Sequence, residues 1–442
     1  MPSAAYLRTS SVGRFSPRTL LAAVALLAAA GPRCVRSIKN GLGITPPLGW
    51  RSWNQFEANI DHTLILDIAT RLTDASRGGV SLASLGYRDV GIDDAWQDCG
   101  AGVGGGYHDA GGNPIVDKTR FPDLKALTSA IHELNLTAGW YANNCRCHDS
   151  SSSIANFEGD VAAFRRFGFD SHKLDSCGGE ADIALWANLL NASGPPTLIE
   201  NCKNGPWYPS INNRIDHILW CPFNFYRTSV DATHAYGPLM GTNLQSILPF
   251  TNNNLSVPGC WAYLDMLEVG VTPGGHKEET PLTFEEQRSH FAAWCITSSP
   301  LVLGADLRND TTLNAIWPIV ANAEAIAVNQ AWAGSNGLRI MAAVNRTTWT
   351  PCSEFWPSCS APEWEVWAKP LPAGGAAVVV LSHDDKAAPL SLDVAWADVP
   401  GLACRSACRV RDVHAHADLG VFADSYHVAG LASHDSVFLT VV

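Results

Sequence analysis

His172-Lys173-Leu174-Asp175-Ser176-Cys177 reads as a short buried strand with an aspartate at its end. Arg227-Thr228-Ser229-Val230-Asp231, further on, delivers a second carboxylate from what also reads as a strand end. Working outward, the chain from about Leu48 to Leu307 alternates short apolar or aromatic runs with helical patterns. The strand candidates are Leu48–Asn54, Tyr87–Asp93, Thr137–Ala142, His172–Asp175, Thr197–Asn201, His217–Cys221, Trp261–Leu264 and Leu301–Gly304. Between them, Asp67 to Ala75, Leu124 to Leu134 and Phe157 to Phe167 carry apolar residues at helical spacing. Repeated strand–helix alternation implies a parallel sheet. Eight such units over roughly 260 residues match an α/β fold of the (β/α)8 TIM barrel type, whose usual size is about 250 residues.

A doubly wound open sheet is the competing arrangement, and it would carry a phosphate fingerprint. Gly100-Ala101-Gly102-Val103-Gly104-Gly105 fits the GxGxxG string, but Tyr107 to Pro114 after it is turn-rich rather than helical. It reads instead as a loop over a pocket rim. The barrel is placed at residues 40–332. After Trp332, Val366–Lys369, Ala376–Leu381, Leu390–Val394, Cys408–Val413 and Val437–Val441 read as short alternating strands. They predict a C-terminal antiparallel β-sandwich over residues 333–442. His414 and His416 would share one face of a strand, and two His with no third ligand nearby read as surface residues.

The 442 residues are 46% hydrophobic and 16% charged, enough for a large core. The net charge of −12 argues against a nucleic-acid partner. Among sixteen Trp residues most are expected in the core, while flat indoles also suit the apolar faces of sugar rings. Residues 1–35 read as a signal peptide: Arg8, Arg14 and Arg18 precede the apolar run Leu20 to Ala30, which is too short to span a bilayer. A transit peptide is the alternative. Twelve Cys beyond Cys34 and five sequons, at Asn135, Asn191, Asn254, Asn309 and Asn345, favour the secretory pathway, with an extracellular, lysosomal or vacuolar destination. No stable membrane span is expected, and a homodimer is left open.

In a (β/α)8 barrel the functional residues sit at the carboxyl ends of the strands. Those ends supply Trp53, Asp93 and Asp94, Tyr141, Lys173 with Asp175, Cys202, Arg227 with Asp231, and Asp265. No metal-ligand pattern such as HExxH accompanies them, so no metal and no cofactor is expected. Two carboxylates facing each other across a pocket are equipment for cleaving a glycosidic bond. Taken singly, Asp175 could instead cap a helix, and Arg227 with Asp231 could be an i, i+4 surface pair.

Pro46-Pro47-Leu48-Gly49-Trp50-Arg51-Ser52-Trp53-Asn54 resembles the PPLGWNSWN opening of glycoside hydrolase family 27, the melibiase-like α-galactosidases and α-N-acetylgalactosaminidases. Asp93-Asp94-Ala95-Trp96, Phe121-Pro122, Lys173-Leu174-Asp175-Ser176-Cys177, Asp265-Met266-Leu267-Glu268-Val269-Gly270 and Ile326-Ala327-Val328-Asn329-Gln330 follow the family's motifs in order. Val366 to Leu371 and Arg411 to Gly420 resemble its C-terminal sandwich. The resemblance implies Asp175 as nucleophile and Asp231 as general acid/base of a retaining exo-glycosidase acting on terminal α-D-galactose. It implies substrate contacts from Trp53, Asp93, Asp94, Tyr141, Lys173, Arg227 and Asp265; Lys203, where the chain leaves the family, is a further candidate contact. Lys173 should favour the Asp175 anion, and Arg227 should point at the sugar so that Asp231 can stay protonated. The resemblance also implies a bridge from Cys177 to Cys145 or Cys147 and another between Cys202 and Cys221; Cys352–Cys359 and Cys404–Cys408 would close short loops.

Three departures bear on the sugar. Asn201-Cys202-Lys203-Asn204-Gly205 stands where the galactosidases read Cys-Glu-Trp, Trp261-Ala262-Tyr263-Leu264-Asp265 replaces WNDPD, and Arg51 replaces an Asn. Glu200 is a candidate substitute for the missing Glu. α-N-Acetylgalactosaminidase, β-L-arabinopyranosidase and a non-catalytic glycan-binding protein are the alternative functions.

Overall fold

The computed structural model describes residues 36–37, 40–142, 145–149, 151–175, 177–202, 220–272, 281–352, 357–385 and 389–442. The proposed leader and Lys203 lie outside them. Eight parallel strands form the central sheet: β1 (Leu48–Arg51), β2 (Asp89–Gly91), β3 (Thr137–Ala142), β4 (Ser171–Leu174), β5 (Leu198–Asn201), β6 (Phe225–Arg227), β7 (Trp261–Tyr263) and β8 (Leu301–Leu303). Their order is β8-β1-β2-β3-β4-β5-β6-β7. Just beyond β7, Leu267 pairs in parallel with Leu303 of β8, and its N–H donates to Val302 O at 2.8 Å, which closes the ring.

Helices cover the outside because their sequences are stripes with caps. Helix His62–Thr73 starts at Asp61, whose carboxylate accepts the Leu64 N–H, and it buries Leu64, Ile65, Ile68, Ala69 and Leu72 against the strands. Asp123 caps Leu124–Glu133 in the same way. Helix Ile154–Phe167 ends on Gly168 at φ 81°, a left-handed C-cap open to glycine.

The sixth strand is not where the sequence placed it. Trp220–Cys221 pairs with Arg36–Ser37 outside the barrel, and Phe225–Arg227 fills the sixth position between β5 and β7. His217–Cys221 is the more apolar run, so hydrophobicity favoured it, whereas Phe-Tyr-Arg carries its polar residue into the barrel. The Gly100–Gly105 segment forms a loop with a short 3-10 turn, as expected.

The larger C-terminal sheet is antiparallel, with strands ordered 338–342, 364–370, 376–382, 436–441, 408–412 and 417–422; strands 390–395 and 425–431 pair as a second sheet. Alternation along the large sheet divides its two faces. Val366, Ala368, Val378, Val380 and Val410 pack with Val394, Trp396 and Val428 of the sandwich core. Trp367, Ala377, Val379, Leu381 and Phe438 join the barrel's core. Buried Lys369 points the same way as Trp367 and donates to Ser298 Oγ at 2.7 Å and Asn329 O at 3.1 Å, fastening sheet to barrel. His414 and His416 lie in the turn between two strands rather than on a strand face; His416, at φ 54°, pairs with Glu324 at 2.9 Å.

Candidate active site

The barrel lumen carries an ionic column. Side chains alternate along each strand, so Arg51, Lys173, Glu200, Arg227 and Tyr263 point inward while Trp50, Trp140, His172 and Tyr226 pack among the outer helices. Arg51 sits 3.1 Å from Glu200 and 3.8 Å from Asp89. Gly91 makes the room, since a Cβ there would meet Arg51 Cζ at 2.9 Å. Glu200 is therefore engaged by Arg51 and does not stand in for the sugar-binding Glu of the family. The two departures answer each other: where Asn becomes Arg51, the facing strand supplies a carboxylate. Burial pushes the Glu200 carboxyl up despite Arg51 and Lys173. Arg51→Met strands Glu200 and Asp89, and we expect a loss of about 3–5 kcal/mol in urea unfolding. Arg51→Asn combined with Glu200→Gln should recover more than half of it; no recovery would mean the two residues are not coupled.

Above this floor the strand ends converge. Lys173 Nζ donates to Asp93 Oδ2 at 2.7 Å, and the other Asp93 oxygen accepts the Asp94 N–H. Burial works against the Lys173 charge, but Asp93, Cys202, Asp175 and Glu200 together hold it well above the usual lysine range. Asp94 accepts N–H bonds from Arg146 and Ala95 at 2.9 and 2.7 Å. Burial raises its carboxyl, and Asp93 and Asp175 add to that. Tyr141 OH donates to Asp175 Oδ2 at 3.0 Å, which fixes one oxygen of that carboxylate. Trp53, half-buried, packs on the cluster of Phe225, Trp261, Tyr263, Met266 and Val302. Tyr263 itself is fully buried.

Arg227 is 4% exposed, whereas its partner Asp231 is 78% exposed at the mouth. The guanidinium donates to Asp231 Oδ1, to Ser229 O at 3.1 Å and to Cys202 Sγ at 3.0 Å, and lies 3.7 Å from Asp265. It thus pairs with Asp231, the i, i+4 pairing that the sequence left open, from a buried position. Desolvation by the surrounding pocket wall would raise the Asp231 carboxyl even at this open position, but Arg227 outweighs it and holds it below the ordinary carboxylate range. Asp265 Oδ2 accepts the Ala232 N–H at 2.7 Å and Oδ1 accepts the Met266 N–H at 2.8 Å. With φ at 92°, it is a strained strand-end residue that positions the Asp231 loop. Asp175 and Asp231 both lie within reach of the charges of Arg227 and Lys173.

Cys145–Cys177 and Cys99–Cys147 brace the loops beside Asp175. The first is one of the two pairings expected for Cys177. The proposed Cys202–Cys221 bridge is absent: Cys221 pairs with Cys260, and Cys202 is a buried free thiol under Arg227. Cys221 lies before β6 rather than inside the barrel, which puts it beside the residue preceding β7. Cys352–Cys359 and Cys404–Cys408 form as expected. Sequence reasoning missed Arg146 as a site partner, placed Cys202 at a strand end but expected it in a disulfide, and marked Arg51 only as a departure from the family.

Residues 45–331 match the family model described as alpha galactosidase A, and residues 361–441 match the alpha galactosidase C-terminal beta sandwich domain. The chain belongs to glycoside hydrolase family 27. An alpha-galactosidase of Cyamopsis tetragonoloba is 30% identical over 86% of this chain and 82% of its own length. The crystal structure of alpha-galactosidase I from Mortierella vinacea, 26% identical, superposes with a TM-score of 0.72 over 92% of this chain and 98% of that one. A family 27 β-L-arabinopyranosidase from Geobacillus stearothermophilus shares the fold, with a TM-score of 0.70 over 91% of this chain and 97% of that one at 19% identity.

Proposed function

We propose that this family 27 chain is a retaining exo-α-galactosidase that releases terminal α-D-galactose from oligosaccharides, glycolipids or glycoproteins. The observation that carries the reading is the pair Asp175, just after β4, and Asp231, in the loop after β6, sharing the field of Lys173 and Arg227. Relatives that span both domains are alpha-galactosidases, which supports galactose as the sugar. Asp175, oriented by Tyr141, attacks the anomeric carbon and forms a glycosyl-enzyme. Asp231 gives a proton to the leaving oxygen, then takes one from the water that releases the sugar. Asp93 and Asp94 accept hydrogen bonds from sugar hydroxyls, and Trp53 offers an apolar face.

Purified protein offered aryl α-D-galactoside, α-N-acetylgalactosaminide and β-L-arabinopyranoside should hydrolyse the first fastest. Preference for either of the others would reassign the sugar, and sugar binding without any turnover would make the chain a glycan-binding protein. The five sequon asparagines are exposed, and the described residues hold five disulfides. Both support a secretory route. Among the described residues no helix is long and apolar enough to cross a membrane.

The Arg227–Asp231 pair has a consequence for pH dependence. An acid must be protonated, so activity falls as pH rises through its pKa. In the free enzyme Arg227 keeps that pKa low. Bound sugar covers Asp231 and offers Arg227 hydroxyl partners, which raises it. With a poor-leaving-group alkyl α-galactoside, the basic limb of kcat should therefore lie at higher pH than that of kcat/KM. Superimposed limbs would show that Arg227 does not release Asp231.

A further inference from the structure

Three side chains outside the catalytic pocket converge from separate segments: His108 in the loop after β2, Asp160 in helix Ile154–Phe167, and Glu180 in the loop after β4. They are 4, 2 and 3% exposed. His108 Nε2 lies 3.3 Å from Asp160 Oδ2 and 3.7 Å from Glu180 Oε1. One ligand atom from each falls within 4.8 Å of the other two. That Nε2, Asp160 Oδ1 and both Glu180 oxygens are buried without a hydrogen-bond partner. Burying two facing carboxylates with three of their four oxygens unsatisfied is strongly unfavourable unless a cation or a proton lies between them. The spacing suits a metal ion: ligand bonds of about 2.0–2.2 Å in a tetrahedron give ligand–ligand edges of roughly 3.3–3.6 Å. The opposite ring nitrogen, His108 Nδ1, is 3.2 Å from Asp149 Oδ2 and 3.2 Å from Asn156 Nδ2. A carboxylate behind the imidazole is the arrangement that aims a metal-binding His. Tyr107 OH donates to Asp160 Oδ2 at 3.4 Å.

We propose that His108, Asp160 and Glu180 bind one divalent transition-metal ion of the zinc or manganese type, with Asp149 orienting the imidazole. An imidazole nitrogen with two carboxylates favours such an ion over calcium, which takes six to eight oxygens. The ion takes no part in the reaction. It ties the loop after β2 to the loop after β4, which follows Cys177 and Asp175. This site does not rest on the activity assigned above, and its test needs no substrate.

Full-length protein, stripped with chelator and carrying no histidine tag, is equilibrated separately with zinc, manganese or calcium chloride, gel-filtered and analysed for metal. We expect about one equivalent of zinc or manganese per chain, no retained calcium, and a melting temperature raised by about 3 °C or more at a hundredfold excess over Kd. His108→Ala and Glu180→Gln should retain less than a tenth of that metal. Should the variants not fold, X-ray absorption of the zinc-loaded wild type must show one nitrogen ligand among oxygens. Failure of the stripped wild type to retain zinc or manganese, undiminished retention in Glu180→Gln, or a spectrum without nitrogen would each overturn the site and leave the cluster holding protons.

Discussion

Asp175→Ala should abolish turnover of aryl α-galactosides, lowering kcat on the order of 10^5-fold, because it removes the carboxylate proposed to make the covalent bond. The fold should survive. Asp175 ends β4 at the pocket, and the neighbouring loops are braced by Cys145–Cys177 and Cys99–Cys147. Azide fits where the carboxylate was and attacks from the same face, so added azide should restore activity and yield β-galactosyl azide, inverted relative to the substrate. Native-level activity without azide would remove Asp175 as nucleophile. Tyr141→Phe should be milder, since it removes only the hydrogen bond that orients one oxygen.

Asp231→Ala should show an effect that depends on the leaving group. An alkyl α-galactoside needs its oxygen protonated and should lose about 10^3–10^4-fold in kcat/KM. A dinitrophenyl α-galactoside leaves without a proton, so its kcat/KM should fall far less, and glycosyl-enzyme should accumulate because no base activates water. Equal losses on the two substrates would mean that Asp231 acts by holding Arg227 rather than by moving a proton. Arg227 makes that a real contest, as its guanidinium is shared among Asp231, Asp265 and Cys202.

Seven of the eight barrel strands were legible because short apolar or aromatic runs recur between helical patterns, even where an inward polar residue such as Lys173 or Glu200 interrupts them. The sixth was not, because the more apolar run His217–Cys221 just before Phe225–Arg227 drew the assignment. The two aspartates proposed as the catalytic pair were singled out from strand ends plus family motifs. The direction of Arg227 was not legible, since it depends on which carboxylates surround a buried guanidinium, and those come from β6, β7 and the loops beyond. The Arg51–Glu200 pair shows the same limit. Each residue stood out as a departure, but only the register of β1, β4 and β5 around the ring shows that one answers the other. The His108 cluster left no trace in sequence, because its members come from three segments with no fixed spacing. Cysteine spacing likewise could not separate Cys202 from Cys260 as the partner of Cys221.

The central claim is that Asp175 and Asp231 cut an α-galactosidic bond in two displacements. Proton NMR of the first sugar released from an aryl α-D-galactoside, read before mutarotation, tests it most directly. Two displacements at one carbon predict α-D-galactose as the initial product. Initial β-D-galactose would mean a single displacement by water, and Asp175 could not then be a nucleophile.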